Sequence, residues 1–111
     1  MKEITTRDLR ETLTLLLPQK QDDREGGWRE EWKTGPRLWA SLWPVMGGNG
    51  LLKEDGVYYR IIIRAGLNLP AKIAFLWHLP QKSKRLLVVT QPLLIQYNRF
   101  LSMTAEEERN A

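Results

Sequence analysis

The sequence predicts an all-β fold, a small single-domain β-barrel or sandwich of six to seven short antiparallel strands with long loops. Apolar and polar residues alternate in several short segments, glycine and proline separate those segments, and no segment shows the 3.6-residue apolar spacing of a helix. The chain has 111 residues, close to the commonest domain size. We therefore assign residues 1–111 to one domain, with residues 1–8 and 106–111 as flexible termini.

The first predicted strand is the segment LRETLTLLL, residues 9–17. Its leucines alternate with polar residues, and Pro18 is expected to end it, because proline cannot donate a ladder hydrogen bond. A helix remains a competing interpretation, since leucine and glutamate are good helix formers. The polar segment Gln19–Gly27, which ends in two glycines, predicts a long hairpin loop.

Four of the five tryptophans fall between Gly26 and Pro44. The segments WREEW and RLWASLW predict two successive strands, with a bend at Gly35-Pro36 and an end at Pro44. Both faces of RLWASLW are apolar, which predicts cover on both sides. Because each tryptophan buries on the order of 200 Å², we expect these side chains in the core. An aromatic platform for nucleic-acid bases is the open alternative.

The glycine-rich segment Val45–Gly56 predicts a loop, and VYYRIIIR after it gives the clearest strand signal. Further strands are predicted over residues 71–78, 85–90 and 99–104. The predicted core residues are Trp28, Trp32, Trp39, Trp43, Ile61, Ile63, Phe75 and Trp77.

Positive charge is concentrated in the second half of the chain. Residues 57–105 carry seven lysines and arginines and no carboxylate, whereas residues 1–56 carry nine basic and ten acidic residues. Cations gathered on one surface would attract DNA backbone or an acidic partner; solvated outward strand positions are the alternative. The candidate contact residues are Arg60, Arg64, Lys82, Lys84 and Arg85.

Nothing in the sequence supports catalysis, a metal site or a cofactor. His78 is the only histidine and there is no cysteine, so a typical zinc site lacks its ligands. The segment GGNG lacks the lysine of a phosphate-binding loop, and no serine lies in a nucleophile motif. We predict that the protein is not an enzyme.

The composition also bears on cellular location. The absence of cysteine is consistent with a cytosolic setting. No apolar run approaches the roughly 20 residues of a membrane span, and acidic residues interrupt the N-terminal segment where a signal peptide would be apolar. We expect a soluble protein with no membrane partner.

Small barrels that bind single-stranded nucleic acid combine aromatic platforms with a basic groove. Tyr58, Arg60 and Arg64 share one face of the predicted strand VYYRIIIR. An exposed Tyr58 beside these arginines would form such a surface. Direct binding of single strands is therefore the alternative function.

The order of several motifs resembles the phage head-closure family, also called head–tail joining or stopper proteins. The matching residues are Leu9-Arg10, Asp23, Gly26-Gly27-Trp28, Trp32, Trp39-Ala40, Trp43-Pro44, Tyr59–Arg64 and Arg99–Glu108. The resemblance covers residues 9–108. The sequence differs from the family pattern in one connection, VMGGNGLLKEDG, which is shorter than the insert that relatives usually have there.

This resemblance implies a structural protein of the virion that assembles as a homo-oligomeric ring. The ring would lie below the portal and adaptor proteins, help to retain packaged DNA and offer a surface to the tail terminator or tail tube. The protein would be in the host cytoplasm before assembly. We expect the two loops to meet neighbours or the channel, through Gln19, Asp22, Asp23, Gly26, Gly27, Gly47, Gly48, Asn49 and Gly50.

Overall fold

The computed structural model describes residues 3–22, 24–46, 52–53 and 55–108, and it confirms the all-β class. A single turn of 3-10 helix, Thr6–Asp8, precedes the first strand. The strands are β1 (Glu11–Asp22), β2 (Trp28–Val45), β3 (Tyr58–Arg64), β4 (Ala74–His78), β5 (Ser83–Val88), β6 (Leu93–Ile95) and β7 (Phe100–Glu107). Within the described residues, no helix is long and apolar enough to cross a membrane.

Six of the strands form a closed antiparallel barrel. The strand order is β3-β2-β1-β4-β5-β7, and β7 pairs with β3 to close the ring. The short strand β6 lies beside β7 at Phe100–Ser102, while β5 lies beside it at Ala105–Glu107. Closure gives each of these six strands a neighbour on both sides over part of its length, which shortens the open sheet edges that could invite association.

The core is built from the inward-facing residues of alternate positions. Leu13, Ile61, Ile63, Phe75 and Leu86 are almost fully buried there. The alternation predicted for β3 and β4 therefore places Ile61, Ile63 and Phe75 in the core. A smaller cluster of Leu9, Ile62 and Phe100 forms outside the barrel wall.

The packed domain extends into both predicted termini. The Ile4 amide donates to Gln96 Oε1 at 2.6 Å, and Gln96 Nε2 donates to the Ile4 carbonyl at 2.7 Å. At the other end, β7 continues through Glu107, which pairs in register with Leu86. The strand therefore includes two of the three glutamates assigned to the tail.

The predictions that prolines end strands were wrong for β1 and β2. Pro18 lies inside β1 opposite Trp32, beyond the residues that pair with β4. Pro44 lies inside β2 opposite Tyr59, beyond the residues that pair with β1. At both positions the strand has one neighbour only, so a missing N–H need not interrupt a ladder.

The tryptophan-rich segment forms one strand of 18 residues, not two. Leu15 of β1 faces both Gly35 and Pro36, because the register passes from Thr14–Arg37 to Leu16–Thr34. This two-to-one pairing is a β-bulge, which bends the strand and increases its twist. A Cβ at Gly35 would lie 3.0 Å from the Leu15 carbonyl oxygen, so glycine suits the close approach.

The ends of β1 and β2 continue past the barrel as a two-stranded arm. Residues 17–22 pair with residues 28–33 and with no other strand. The predicted loop Gln19–Gly27 was therefore too long, since Gln19 and Asp22 belong to β1. A ribbon of two strands need not bury either face, so both of its faces can be polar. Its sequence therefore lacks the apolar alternation that marks a strand and looks like that of a loop.

Most of the tryptophans do not enter the core as predicted. Trp39 is 63% exposed and Trp43 is 37% exposed, because Leu38, Ala40 and Leu42 take the inward positions between and beside them. Trp32 is half-buried beneath Lys72, whose Nζ lies 5.8 Å from the ring centroid. The Trp28 side chain lies outside the described residues.

Trp77 agrees with the prediction in part. It is half-buried and packs against the core, with its ring edge-on to Tyr59 at a centroid distance of 5.2 Å.

Candidate interaction site

The five basic residues predicted as a contact surface are divided between separate places, since Lys82, Lys84 and Arg85 line one groove with Glu107 and Glu108, whereas Arg64 lines another. Lys84 Nζ lies 2.8 Å from Glu107 Oε1, and Arg85 Nη1 lies 3.2 Å from Glu108 Oε2. The hydrogen bond and charge of Glu107 outweigh partial burial and raise the pKa of Lys84. Both cations are thus neutralised by the glutamates that follow the carboxylate-free block.

Arg60 and Lys82 are exposed but lie apart from each other. Arg60 projects from the outer face of β3, where its Nη1 donates to Ser102 Oγ at 3.2 Å. Lys82 lies in the tight connection between β4 and β5, where the Leu79 amide donates to its carbonyl at 2.8 Å. Lys82 lies in the same groove as Lys84 and Arg85, whereas Arg60 lies on the barrel wall.

Tyr58 does not form the exposed platform that direct single-strand binding requires. It has the outward alternation expected from the sequence, yet only 3% of its surface is exposed. Its hydroxyl accepts a hydrogen bond from the Lys53 amide at 2.8 Å, and Gly56 lies so close that a Cβ there would be 2.5 Å from the ring. The segment before β3 covers the ring.

A different cationic surface lies where β2 and β3 separate. Arg10, Arg37 and Arg64 line an open groove of about 800 Å³, which we call the arginine groove. Its floor and walls include Leu9, Leu38, Ile63, Leu67 and the exposed ring of Trp39. The groove therefore combines three cations with an apolar surface.

Three separate segments of the chain position these arginines. Arg10 lies just before β1, and its Nε donates to the Arg7 carbonyl at 3.1 Å. Arg37 follows the bulge in β2, and Arg64 is the last residue of β3. All three residues are exposed, and no aspartate or glutamate is among the residues that line the groove.

Sequence reasoning identified Arg64 but missed Arg10 and Arg37. It considered only the carboxylate-free block of residues 57–105, whereas the barrel brings residues from three distant segments together. Arg37 and Trp39 are alternate residues of one strand and therefore share a face. This spacing was a usable signal that an arginine lies beside the exposed tryptophan.

A strained turn lies next to the groove. Gln96, Tyr97 and Asn98 all have left-handed backbone conformations, with φ of 48°, 56° and 63°. Such conformations are costly for residues other than glycine, and here the bonds from Gln96 to Ile4 hold the turn. The turn leaves Tyr97 95% exposed. Asn98 and Arg64 line a second groove of about 660 Å³.

The predicted loop residues are only partly described. Gly26 and Gly27 lie in the turn between β1 and β2, and Gly26 has a φ of 87°, which favours glycine. Asp23 and residues 47–50 lie outside the described residues, as does the Asp22 side chain.

No chemical centre is evident in the part of the chain that the structure describes. His78 Nε2 lies 2.6 Å from Thr14 Oγ1 on the outer face of the barrel, which is a structural contact between β4 and β1. Among these residues, no three histidine or carboxylate side chains are grouped as a metal site would require.

Comparison with known proteins identifies the fold. No family model matches the chain, and no curated protein matches it. A Shigella flexneri 2a protein solved in solution is similar, with a TM-score of 0.71 and 24% identity over 90% of this chain and 93% of that one. A chain from the virion of a native gene transfer agent particle is also similar, with a TM-score of 0.62 and 22% identity over 92% of this chain and 98% of that one. Both likenesses extend over nearly the whole barrel.

Proposed function

We propose that this protein is a non-enzymatic structural protein of the virion of a tailed phage, a prophage or a phage-like gene transfer particle. The observation that carries the proposal is the likeness to a chain of a gene transfer agent virion, which covers 92% of this chain and 98% of that chain. The likeness therefore extends over nearly the whole length of both chains and is not confined to a few strands.

Within the particle, we assign the protein to the head–tail connector as a head-closure component. The support is the order of motifs along residues 9–108, which resembles that of head-closure proteins. Its partners would be further copies of itself in a ring, the portal or adaptor proteins, and a tail terminator or tail tube protein. Exposed Arg60 and Lys82 are available for contact with the DNA backbone.

Removing the protein from particles tests this assignment. Cells that produce the particles should be prepared without the gene and complemented with either the intact gene or an empty vector. Electron microscopy should show filled heads that leak DNA or fail to join tails, and the intact gene should restore joined particles. Normal joined particles in the empty-vector sample would reject the proposal.

The location of the protein provides a second readout. An epitope tag after Glu108 should be detected with gold-labelled antibody at the junction between head and tail. Label spread over the capsid surface would support a virion protein but reject the connector position. Label absent from purified particles would reject both.

A further inference from the structure

We propose that the arginine groove binds an extended acidic segment of a partner polypeptide, which adds to β2 at residues 37–39. The inference rests on the proposed function, because it names how a partner in the particle would dock. Its test uses the isolated protein and no particle.

The charge of the groove selects an anionic partner. Arg10, Arg37 and Arg64 come from three segments of the chain and line one groove without any carboxylate among the lining residues. By contrast, Lys84 and Arg85 already have glutamate partners. The cations of the groove are therefore available for an outside carboxylate, and arginine can bind it through two parallel hydrogen bonds.

The apolar surface of the groove favours a polypeptide over nucleic acid. Its apolar surface is provided by Trp39, which is 63% exposed, by the exposed Leu67 and by the half-buried Leu38. A DNA backbone presents charged phosphates and would leave these side chains without matching contacts. A peptide that alternates acidic and apolar residues would offer carboxylates to the arginines and side chains to the apolar surface.

The backbone of β2 supplies a place for an added strand. Pairing between β2 and β3 stops at Ala40 and Ile63, while β2 continues through residues 37–39 with β1 on its other side. This stretch has a strand neighbour on one side only. An extended peptide can pair with such an edge, its backbone giving affinity and its alternate side chains giving specificity.

The direct test is binding of a fluorescein-labelled peptide that alternates glutamate and valine, followed by fluorescence anisotropy. The wild-type protein should bind it, and a matched lysine–valine peptide should not bind. The triple variant R10Q/R37Q/R64Q should bind at least about tenfold more weakly, because each arginine makes a charged hydrogen bond. Amide resonances of residues 37–39 should shift on binding in the wild type.

A charge-matched variant separates the groove from general attraction. K33Q/K53Q/K82Q removes three exposed cations that do not line the groove, and it should retain affinity within about twofold. Circular dichroism and thermal unfolding check that both variants fold. Equal weakening in the two variants, or no binding by the wild type, would overturn the inference.

A DNA duplex of matched length provides the remaining comparison. The inference would also be overturned if the wild type bound the duplex but not the peptide, and if R10Q/R37Q/R64Q alone lost this duplex binding. None of these results would alter the particle-deletion experiment, so a failed groove and a failed connector assignment are distinguishable.

Discussion

Lys84 is part of a small cluster on the barrel wall. Its Nζ lies 2.8 Å from Glu107 Oε1 and 5.9 Å from the centre of the Trp77 ring. The ammonium is thus within ion-pair and hydrogen-bonding distance of this carboxylate oxygen. The contact is therefore an ion pair that joins β5 to β7, and Glu107 offsets the positive charge of Lys84.

Removing the Lys84 charge should lower the free energy of unfolding by about 0.5–1 kcal/mol at neutral pH, because Glu107 loses its counter-charge. Lys84→Met is the test, and Lys82→Met is the control, since Lys82 is an exposed residue of a turn. Chemical denaturation measures both. Equal effects in the two variants would contradict a stabilising ion pair.

The same pair predicts a pH dependence. The pKa of Lys84 is raised above its ordinary value of 10.5, chiefly by the hydrogen bond to Glu107. A raised lysine pKa stabilises the folded state fully below the ordinary value, and the effect is lost as pH rises through the folded-state value. The stability difference between wild type and Lys84→Met should shrink above pH 10.5, while a difference constant to higher pH would contradict this origin.

Exposure makes Trp39 and Phe75 a contrasting pair of aromatic residues. Phe75 is fully buried, so Phe75→Ala should cost about 3–5 kcal/mol of unfolding free energy. Trp39 is 63% exposed, so Trp39→Ala should cost less than about 1 kcal/mol. Denaturant titration measures both, and a large loss in the Trp39 variant would show that this ring stabilises the barrel.

At the scale of elements, the arm formed by residues 17–22 and 28–33 differs from the barrel. Each of its strands has a single neighbour, whereas β3 has a strand on both sides. A two-stranded ribbon is only marginally stable on its own. The arm is therefore expected to open more readily than the barrel.

Hydrogen exchange should detect this difference. Amides of the arm at Gln19 and Glu31 should exchange faster than those of Ile61 and Ile62, because local opening of the arm need not disturb the core. Mass spectrometry of peptides or NMR of single amides measures the rates. Assembly into a particle should slow exchange in the arm, and equal protection in the free protein would contradict its independence.

The sequence allowed the all-β class and the alternation of β3 to be predicted, because local periodicity determines which residues face inward. It did not allow the extent of β1 and β2 to be predicted. A proline interrupts a strand where both sides of the strand are paired, but Pro18 and Pro44 lie where only one side is paired. Which sides are paired depends on residues far away in the chain. Tyr58 was assigned to the correct face, but its cover by Lys53 and Gly56 depends on how the preceding segment folds back.

The candidate site shows the same limit at the scale of the whole molecule. Charge counting found a basic block, yet its Lys84 and Arg85 pair with glutamates beyond that block. The arginine groove instead joins Arg10 and Arg37 to Arg64, at the Phe100 end of β7. Only the closure of the barrel brings these segments together.

This charge distribution predicts weak binding of single-stranded DNA by the isolated protein. The formal net charge of +4 supplies general attraction, which should fall steeply with salt as counterion release becomes less favourable. Stacking on Tyr58 should contribute nothing, because that ring is buried. The test is fluorescence titration with single-stranded DNA at low and at physiological salt. At physiological salt, the wild type and the double variant Tyr58→Phe/Arg60→Gln should bind with similar affinity. Thermal unfolding checks that the double variant is folded. Tight binding that disappears in the double variant while the fold is retained would favour the alternative function of direct single-strand binding over a connector role.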